Sequence, residues 1–306
     1  MEIKECPICD LKYISFFSER DNCIFLQCDN CNLVFMNPLP DAQELIDNFY
    51  SKESGYHCKL VKNLEKIKRY DKKFIKIIDT LNNFKATGNL LDVGCANGEF
   101  LFLAKKYGFN AYGVEANTYT ANIATSNGLN VFNGTLEEAK FKDNYFSVIY
   151  LGDIIEHVVD PVSLLRECKR ILKKEGIIII STPNIDCFWV KATQFVCYWF
   201  KLPWSVLLPY YHLYLFSEAN LKKCMHKLNF EILEIKYNNV SLRHELGGTG
   251  LFKKYKNTKS VKMLIYTISV FSVYTIIYAF SFLFKPFFKK NFEMIVFAKK
   301  TNDSFC

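Results

Sequence analysis

The 306-residue chain has no cleavable signal stretch at its N-terminus, no internal repeat and no low-complexity linker. The first absence argues against an oxidising destination. Its twelve cysteines are therefore expected as free thiols or metal ligands in a reducing cytoplasm, not as a disulfide framework. The other two absences leave one full α/β domain with one or two small additions, and 50% hydrophobic content supplies a substantial core for it. Charge is also missing in places. Residues 263–284 carry none, and between 251 and 300 ten lysines face a single acid.

Four of the cysteines form a pattern. Cys6-Pro-Ile-Cys9 and Cys28-Asp-Asn-Cys31 are two C-x-x-C pairs separated by 18 residues, the spacing of a four-thiolate zinc ribbon. Each pair makes a tight knuckle, and the residues between them can pair as short strands around a tetrahedral ion. Cys6, Cys9, Cys28 and Cys31 together leave no coordination position for water, so such a zinc ion is structural. Cys23 and Cys58 read as bystanders, and Cys95, Cys168, Cys187, Cys197 and Cys224 as small side chains in apolar settings. Val34-Phe-Met-Asn-Pro-Leu-Pro-Asp41 is a proline-punctuated exit from the ribbon.

The densest chemical grammar lies in Leu90-Leu-Asp-Val-Gly-Cys-Ala-Asn-Gly-Glu-Phe-Leu101. An apolar strand closes on Asp92, Gly94 permits the tight turn, and Gly98 lets a helix over roughly 98–108 start close against a ligand. Glu115 follows Gly94 by 21 residues and ends a second apolar strand, where a carboxylate can accept both hydroxyls of a ribose. A nicotinamide dinucleotide needs a middle and a third glycine around its pyrophosphate. This turn has Ala96 in the middle position, lacks the third glycine, and carries an acid that repels phosphate. An ammonium and a sulfonium suit that acid, which favours S-adenosylmethionine.

At these residues, and through Gly134–Ala139, Phe146–Pro161, Gly176–Asn184 and Tyr211–Ser217, the chain resembles the class I S-adenosylmethionine-dependent methyltransferases. The resemblance covers roughly 85–240 plus the last strand, and it reaches the N-terminus, since many methyltransferases acting on sugars, lipids and secondary metabolites carry a zinc ribbon and a helical connector. It implies that Asp92, Gly94 and Gly98, with Cys95 in the turn between them, surround the methionine end of the cofactor and that Glu115 holds the ribose. It further implies that Leu136 lines the adenine pocket and that Gly152 and Asp153 close the site from the fourth strand. Ala96 departs from the commoner glycine, and Thr135 stands where many relatives carry an acid.

Short apolar runs alternate with amphipathic stretches, predicting strands near 89–94, 110–115, 129–133, 146–151, 176–181, 230–239 and 292–299. The rhythm predicts an α/β fold, a Rossmann-like, doubly wound, mostly parallel seven-stranded sheet. Ile177-Ile-Ile-Ile-Ser181 suits a strand covered on both faces. That the last strand inserts antiparallel beside the fifth is implied by the resemblance alone. The expected organisation is a zinc ribbon at 1–40, a helical connector at 41–84 with helical stretches near 41–50 and 59–84, the cofactor-binding domain at 85–240, an apolar, basic-flanked helical insertion at 241–291, and a final strand at 292–300.

Methyl transfer from a sulfonium is an in-line displacement, so alignment and exclusion of water carry most of the acceleration. An oxygen acceptor must also lose its proton. His157, just after the fourth strand, is the first candidate base because imidazole titrates near neutrality, and His212 in Tyr-Tyr-His-Leu-Tyr is the second. The competing reading of Glu156 and His157 is that they cap and orient the following helix.

The uncharged run at 263–284 is long enough for a helix to cross a bilayer. A single crossing conflicts with a last strand that must rejoin the sheet, and the run carries eight hydroxyl-bearing residues. Trp189, Trp199 and Trp204 fall within 16 residues that also hold Phe195, Tyr198 and Phe200, the composition of an interfacial belt. The expectation is one lysine-rimmed apolar surface resting on the anionic inner leaflet of the cytoplasmic membrane; a buried or dimer-forming lid, or a true span, are its alternatives. The leading function is O-methylation, or C-methylation, of a small-molecule, glycan, lipid-linked or polyprenyl-type acceptor, and a net charge of +8 fits an anionic one. RNA is compatible with that charge, but the basic residues cluster beside apolar surface and do not alternate with a stacking platform. A soluble small-molecule enzyme and a non-catalytic cofactor-binding or interaction module remain alternatives.

Overall fold

The computed structural model describes residues 2–49, 63–67, 70–200, 204, 206–238, 251–283 and 291–301. Three strands, β1 (Ile14–Arg20), β2 (Cys23–Cys28) and β3 (Val34–Asn37), open the chain, followed by helix α1 (Ala42–Phe49). After a short 3-10 turn at Leu64–Lys66, α2 (Lys72–Asn83) leads into the main domain. The sequence predicts a helical stretch near 59–84; its residues 59–62 and 68–69 lie outside the described residues, and the regular helix that is described starts at Lys72, where the Asp71 side chain accepts the Lys73 N–H as its cap.

The main sheet alternates with helices as its periodicity predicts: β4 (Asn89–Val93), α3 (Glu99–Lys106), β5 (Asn110–Glu115), α4 (Thr118–Ser126), β6 (Asn130–Asn133), β7 (Phe146–Gly152), α5 (Pro161–Ile171) and β8 (Leu172–Pro183). Beyond these lie α6 (Phe188–Phe200), β9 (Tyr214–Leu215), α7 (Glu218–Lys227), β10 (Phe230–Asn238), α8 (Leu251–Thr258), α9 (Val261–Leu283) and β11 (Glu293–Lys300). Seven strands pair in the order β10-β11-β8-β7-β4-β5-β6. The pairs from β8 through β6 are parallel, while β11 runs antiparallel between β8 and β10. The isoleucine run is buried on both faces of β8. Strand order reverses between β4 and β7, and the space beyond the carboxyl ends of strands at such a reversal is the usual ligand crevice of these sheets.

A second sheet has the order β1-β2-β3-β9. Its last strand comes from the main domain, so the N-terminal strands share a sheet with residues far along the chain. Cysteines 95, 168, 187, 197 and 224 are buried thiols, as their apolar settings predict, and Cys58 lies outside the described residues.

The insertion between β10 and β11 leaves from Asn238 and returns at Glu293, which are register partners. A single pass through a bilayer would place these partners on opposite faces. Helix α9 is long and apolar enough to cross a membrane, and only 17% of its most apolar window is buried. One stripe, Thr267, Val270 and Tyr274, faces inward. There Trp189 of α6 meets the Tyr274 and Tyr278 rings at 5.6 and 5.7 Å, and Cys197 Sγ lies 3.3 Å from the Tyr274 hydroxyl. Ile265, Ile268, Ile276 and Leu283 face outward. The hydroxyls of Thr267, Ser269, Ser272 and Thr275 bond back to carbonyls one turn earlier, so they take no unsatisfied donor into an apolar medium. The three tryptophans divide between surface and core. Trp199 is exposed beside Tyr198 and Phe195, whereas Trp189 and Trp204 are core residues.

Candidate active site

The crevice floor is built by the turn after β4. Gly94 has φ +73°, and a Cβ there would lie 2.1 Å from the Ile154 side chain; at Gly98, φ +81°, it would lie 2.3 Å from Leu129. The left-handed φ strains any side chain at either position, and one would also have to displace the end of Ile154 or Leu129. Ala96 also takes a left-handed conformation, φ 48°, which costs an alanine roughly 1–2 kcal/mol. Its N–H donates to Glu115 Oε2 at 2.8 Å, which offsets that strain and explains how alanine replaces the commoner glycine. Cys95, in the same turn, is buried.

Two carboxylates wall this crevice. Asp92, at the end of β4, is 4% exposed; burial first, and the neighbouring Glu115 second, push its pKa well above the ordinary carboxylate range, against the pull of Lys73. Glu115, at the end of β5, is also raised by withdrawal from water, although the Asn117 and Ala96 N–H groups oppose this. Its two oxygens each accept one backbone N–H at 2.8 Å, leaving lone pairs for further donors. A buried acid next to a second acid is stabilised by a cationic ligand, and the free lone pairs of Glu115 suit hydroxyls. The donor set thus fits S-adenosylmethionine. Leu136 is buried after β6 on the adjoining side.

Gly152 and Asp153 lie at the tip of β7, across the crevice from β4. Asp153 Oδ2 is 2.6 Å from Lys73 Nζ and its Oδ1 accepts from the Ser181 hydroxyl at 3.0 Å. Lys73 also reaches Glu293 Oε1 at 2.7 Å. Burial disfavours its ammonium, but Tyr150, Asp153 and Glu293 outweigh that and hold Lys73 protonated. This clamp ties α2, β7, β8 and β11 together at the mouth of the crevice. No sequence motif announces it, since its members lie up to 220 residues apart.

The turn after β7 carries the second cluster. His157 is 7% exposed, and its Nδ1–H donates to the Tyr211 carbonyl, which leaves Nε2 with its lone pair. The ring centroids of His157 and His212 are 5.2 Å apart. Burial holds His157 below the usual imidazole range, partly countered by the Tyr211 carbonyl, so it is neutral and able to take a proton. Glu156 is 2% exposed, and among the described residues neither carboxylate oxygen meets a hydrogen-bond partner; burial, then Asp153, push its pKa well up. Glu156, His157 and His212 bring one ligand atom each within 4.8 Å of one another, a set that can pass a proton or hold a divalent cation. Helix α5 is capped by Asp160, whose side chain accepts the Ser163 N–H, so Glu156 and His157 are not its caps.

The four ribbon cysteines converge. Cys6 and Cys31 sulfurs are 3.5 Å apart, as are those of Cys9 and Cys28, and all four lie within 4.8 Å of one another. Tetrahedral zinc with Zn–S bonds of about 2.3 Å sets sulfurs roughly 3.8 Å apart, so the tetrad fits that ion. The knuckles repeat one backbone pattern. Cys6 N–H donates to Leu11 O and Asp10 N–H to Cys6 O; Cys28 N–H donates to Leu33 O and Asn32 N–H to Cys28 O. Asp10 and Asn32 supply the left-handed residue that each turn requires.

A family described as a methyltransferase domain matches residues 65–235, more than half of the chain. A ubiquinone biosynthesis O-methyltransferase of Colwellia psychrerythraea is 32% identical over 114 residues, covering 35% of this chain and 46% of that protein. An uncharacterised protein of Methanocaldococcus jannaschii is 31% identical over 117 residues, covering 38% and 55%. The chain spans about half the length of the curated relatives it matches. Phosphoethanolamine N-methyltransferase 2 of Haemonchus contortus, solved with S-adenosyl-L-methionine, shares the fold at a TM-score of 0.51 and 15% identity, over 88% of this chain and 62% of that one.

Proposed function

Because the chain belongs to the methyltransferase-domain family, we propose that it transfers a methyl group from S-adenosylmethionine to an oxygen, or a carbon, of an acceptor held above the carboxyl ends of β4 and β7. The observation that carries this reading is the acid pair Asp92 and Glu115 under the glycine turn. Bound there, S-adenosylmethionine supplies an electrophilic methyl group on sulfur. Asp92 faces the ammonium end, Glu115 accepts the ribose hydroxyls, and Gly94, Cys95 and Gly98 let the backbone approach. Leu136 packs toward the adenine, and Gly152 with Asp153 borders the methyl group. His157 Nε2 takes the acceptor's proton, with His212 beside it.

Four thiolates, Cys6, Cys9, Cys28 and Cys31, hold a structural zinc ion in this reading. The acceptor is a glycan, lipid-linked or polyprenyl-type molecule met at the cytoplasmic face of a membrane. Support for that class comes from the exposed apolar face of α9, the exposed Phe195, Tyr198 and Trp199 of α6, and the lysine excess between 251 and 300. Both helical segments emerge from the sheet edge that carries the crevice, since β8 ends at Pro183 opposite Glu293. Calorimetry with S-adenosylhomocysteine tests the cofactor assignment: wild type binds and Glu115→Ala loses about tenfold or more. Equal affinity removes the ribose role. Mass spectrometry of envelope lipids and glycans from a deletion strain, searched for the loss of a methyl increment, identifies the acceptor.

A further inference from the structure

The ribbon grips one stretch of the main domain, residues 204–215, and that stretch carries His212. Arg20, ending β1, donates from Nη1 to the Trp204 carbonyl at 2.5 Å and also to the Leu207 carbonyl. Phe17 meets the Trp204 ring at 6.1 Å. Between those two carbonyls, the Val206 carbonyl faces His212 Nδ1 at 3.4 Å. On the far side of His212, β3 pairs with β9, Val34 opposite Leu215 and Phe35 opposite Tyr214, and Met36 N–H donates to the Leu213 carbonyl at 2.8 Å.

The same stretch reaches the other histidine. Leu213 and Tyr214 N–H groups both donate to the Glu156 carbonyl, at 2.8 and 3.2 Å, and the Tyr211 carbonyl accepts from His157 Nδ1. Both imidazoles therefore hang on a segment whose opposite edge is the N-terminal sheet. β2 ends on Cys28, and Cys31 sits in the turn before β3, so the thiolate tetrad lies at the root of the two strands that present this edge.

We propose that the ribbon is a positioning device for the acceptor side of the site, with Arg20 as its principal positioning residue: it sets where His157 and His212 stand relative to each other, and leaves the cofactor crevice untouched. The proposal rests on the reading of those histidines as acceptor-side groups. A ribbon that only added stability would need no grip on both flanks of one histidine.

The experiment compares the full zinc-loaded chain, the same chain stripped of zinc, and Arg20→Met, which removes the guanidinium part of the grip and leaves the four thiols and the β3–β9 pairing in place. Three readouts are taken: S-adenosylhomocysteine affinity, amide hydrogen exchange at Leu213 and Tyr214, and imidazole NMR titrations of His157 and His212. Both perturbed forms are expected to keep cofactor affinity within about twofold, to exchange those amides about tenfold faster, equal to ~1.4 kcal/mol of local opening, and to displace both titrations. Unchanged exchange and titrations in both forms overturn the proposal. So does cofactor affinity that falls in step with exchange, since the ribbon would then be holding up the whole domain. Failure of the unperturbed chain to bind S-adenosylhomocysteine sinks the cofactor reading instead, and the histidine comparison still decides this one.

Discussion

Asp92→Asn separates a ligand-binding acid from a structural one. Asparagine keeps the shape and removes the charge. In the ligand-free protein the folded state favours protonated Asp92, its pKa being raised by burial and by Glu115. A raised carboxyl contributes stability that is fully present below its unfolded value of about 3.9 and is lost as pH rises through the folded value. At neutral pH the native acid is therefore a burden that asparagine removes. A buried acid without full compensation costs on the order of 1–3 kcal/mol, burial first and the neighbouring Glu115 second, so its replacement by asparagine is expected to recover that much. That corresponds to a rise in Tm of several degrees for a chain of this size. In the proposed reading ionised Asp92 faces the cofactor's ammonium, so the variant is expected to bind both S-adenosylmethionine and S-adenosylhomocysteine about 10- to 100-fold more weakly, ~1.4–2.7 kcal/mol. Scanning fluorimetry and calorimetry read the two effects separately. Unchanged affinity, or a variant less stable than wild type without ligand, refutes the reasoning.

Three further outcomes are expected. His157 has a folded pKa below its unfolded value, so its stabilising contribution is present above about pH 6.5 and is lost as pH falls, at up to about 1.4 kcal/mol per pH unit; thermal melts from pH 7.5 to 5 should fall less steeply for His157→Gln, and parallel curves would count against a buried neutral imidazole. Protein purified without chelator should carry about one equivalent of zinc and Cys28→Ser close to none, by elemental analysis; less than about half an equivalent in wild type rejects the site. Ile268 and Ile276 are 55% and 69% exposed on α9. Wild type should float with anionic liposomes at low salt and the Ile268→Glu/Ile276→Glu protein should not, since each anchor is worth about 1.5–3 kcal/mol when immersed; wild type left in the soluble fraction defeats the membrane reading.

The parts legible in the sequence are those encoded by neighbours. β4 with its Asp92–Gly98 turn, Glu115 at the end of β5, and the two cysteine knuckles each follow from a few consecutive residues, so spacing alone locates them. What depends on distant residues meeting was not readable. Lys73 lies in a connector helix whose sequence gives no sign of a site, yet it is buried between Asp153 and Glu293. β9 is two residues long, too short for a period, and exists because β3 offers it an edge. Trp189 and Trp204 carry the composition of an interface belt, but α9 and the ribbon cover them. Glu156 reads as a helix cap, and only in three dimensions does its carboxylate prove buried beside His157 Nε2, 3.9 Å away, with no hydrogen-bond partner for either oxygen among the described residues.

Asn238 and Glu293 sit side by side at the end of a hairpin-like pair, with more than fifty residues of chain inserted between them. Whatever occupies that gap can be lengthened, replaced or trimmed to a tight turn while every strand keeps its register. Under the proposed function, a lineage could thus retool which molecules reach the methyl group without re-evolving the donor site, and a chimera carrying a relative's segment at this junction would test whether acceptor choice moves with it.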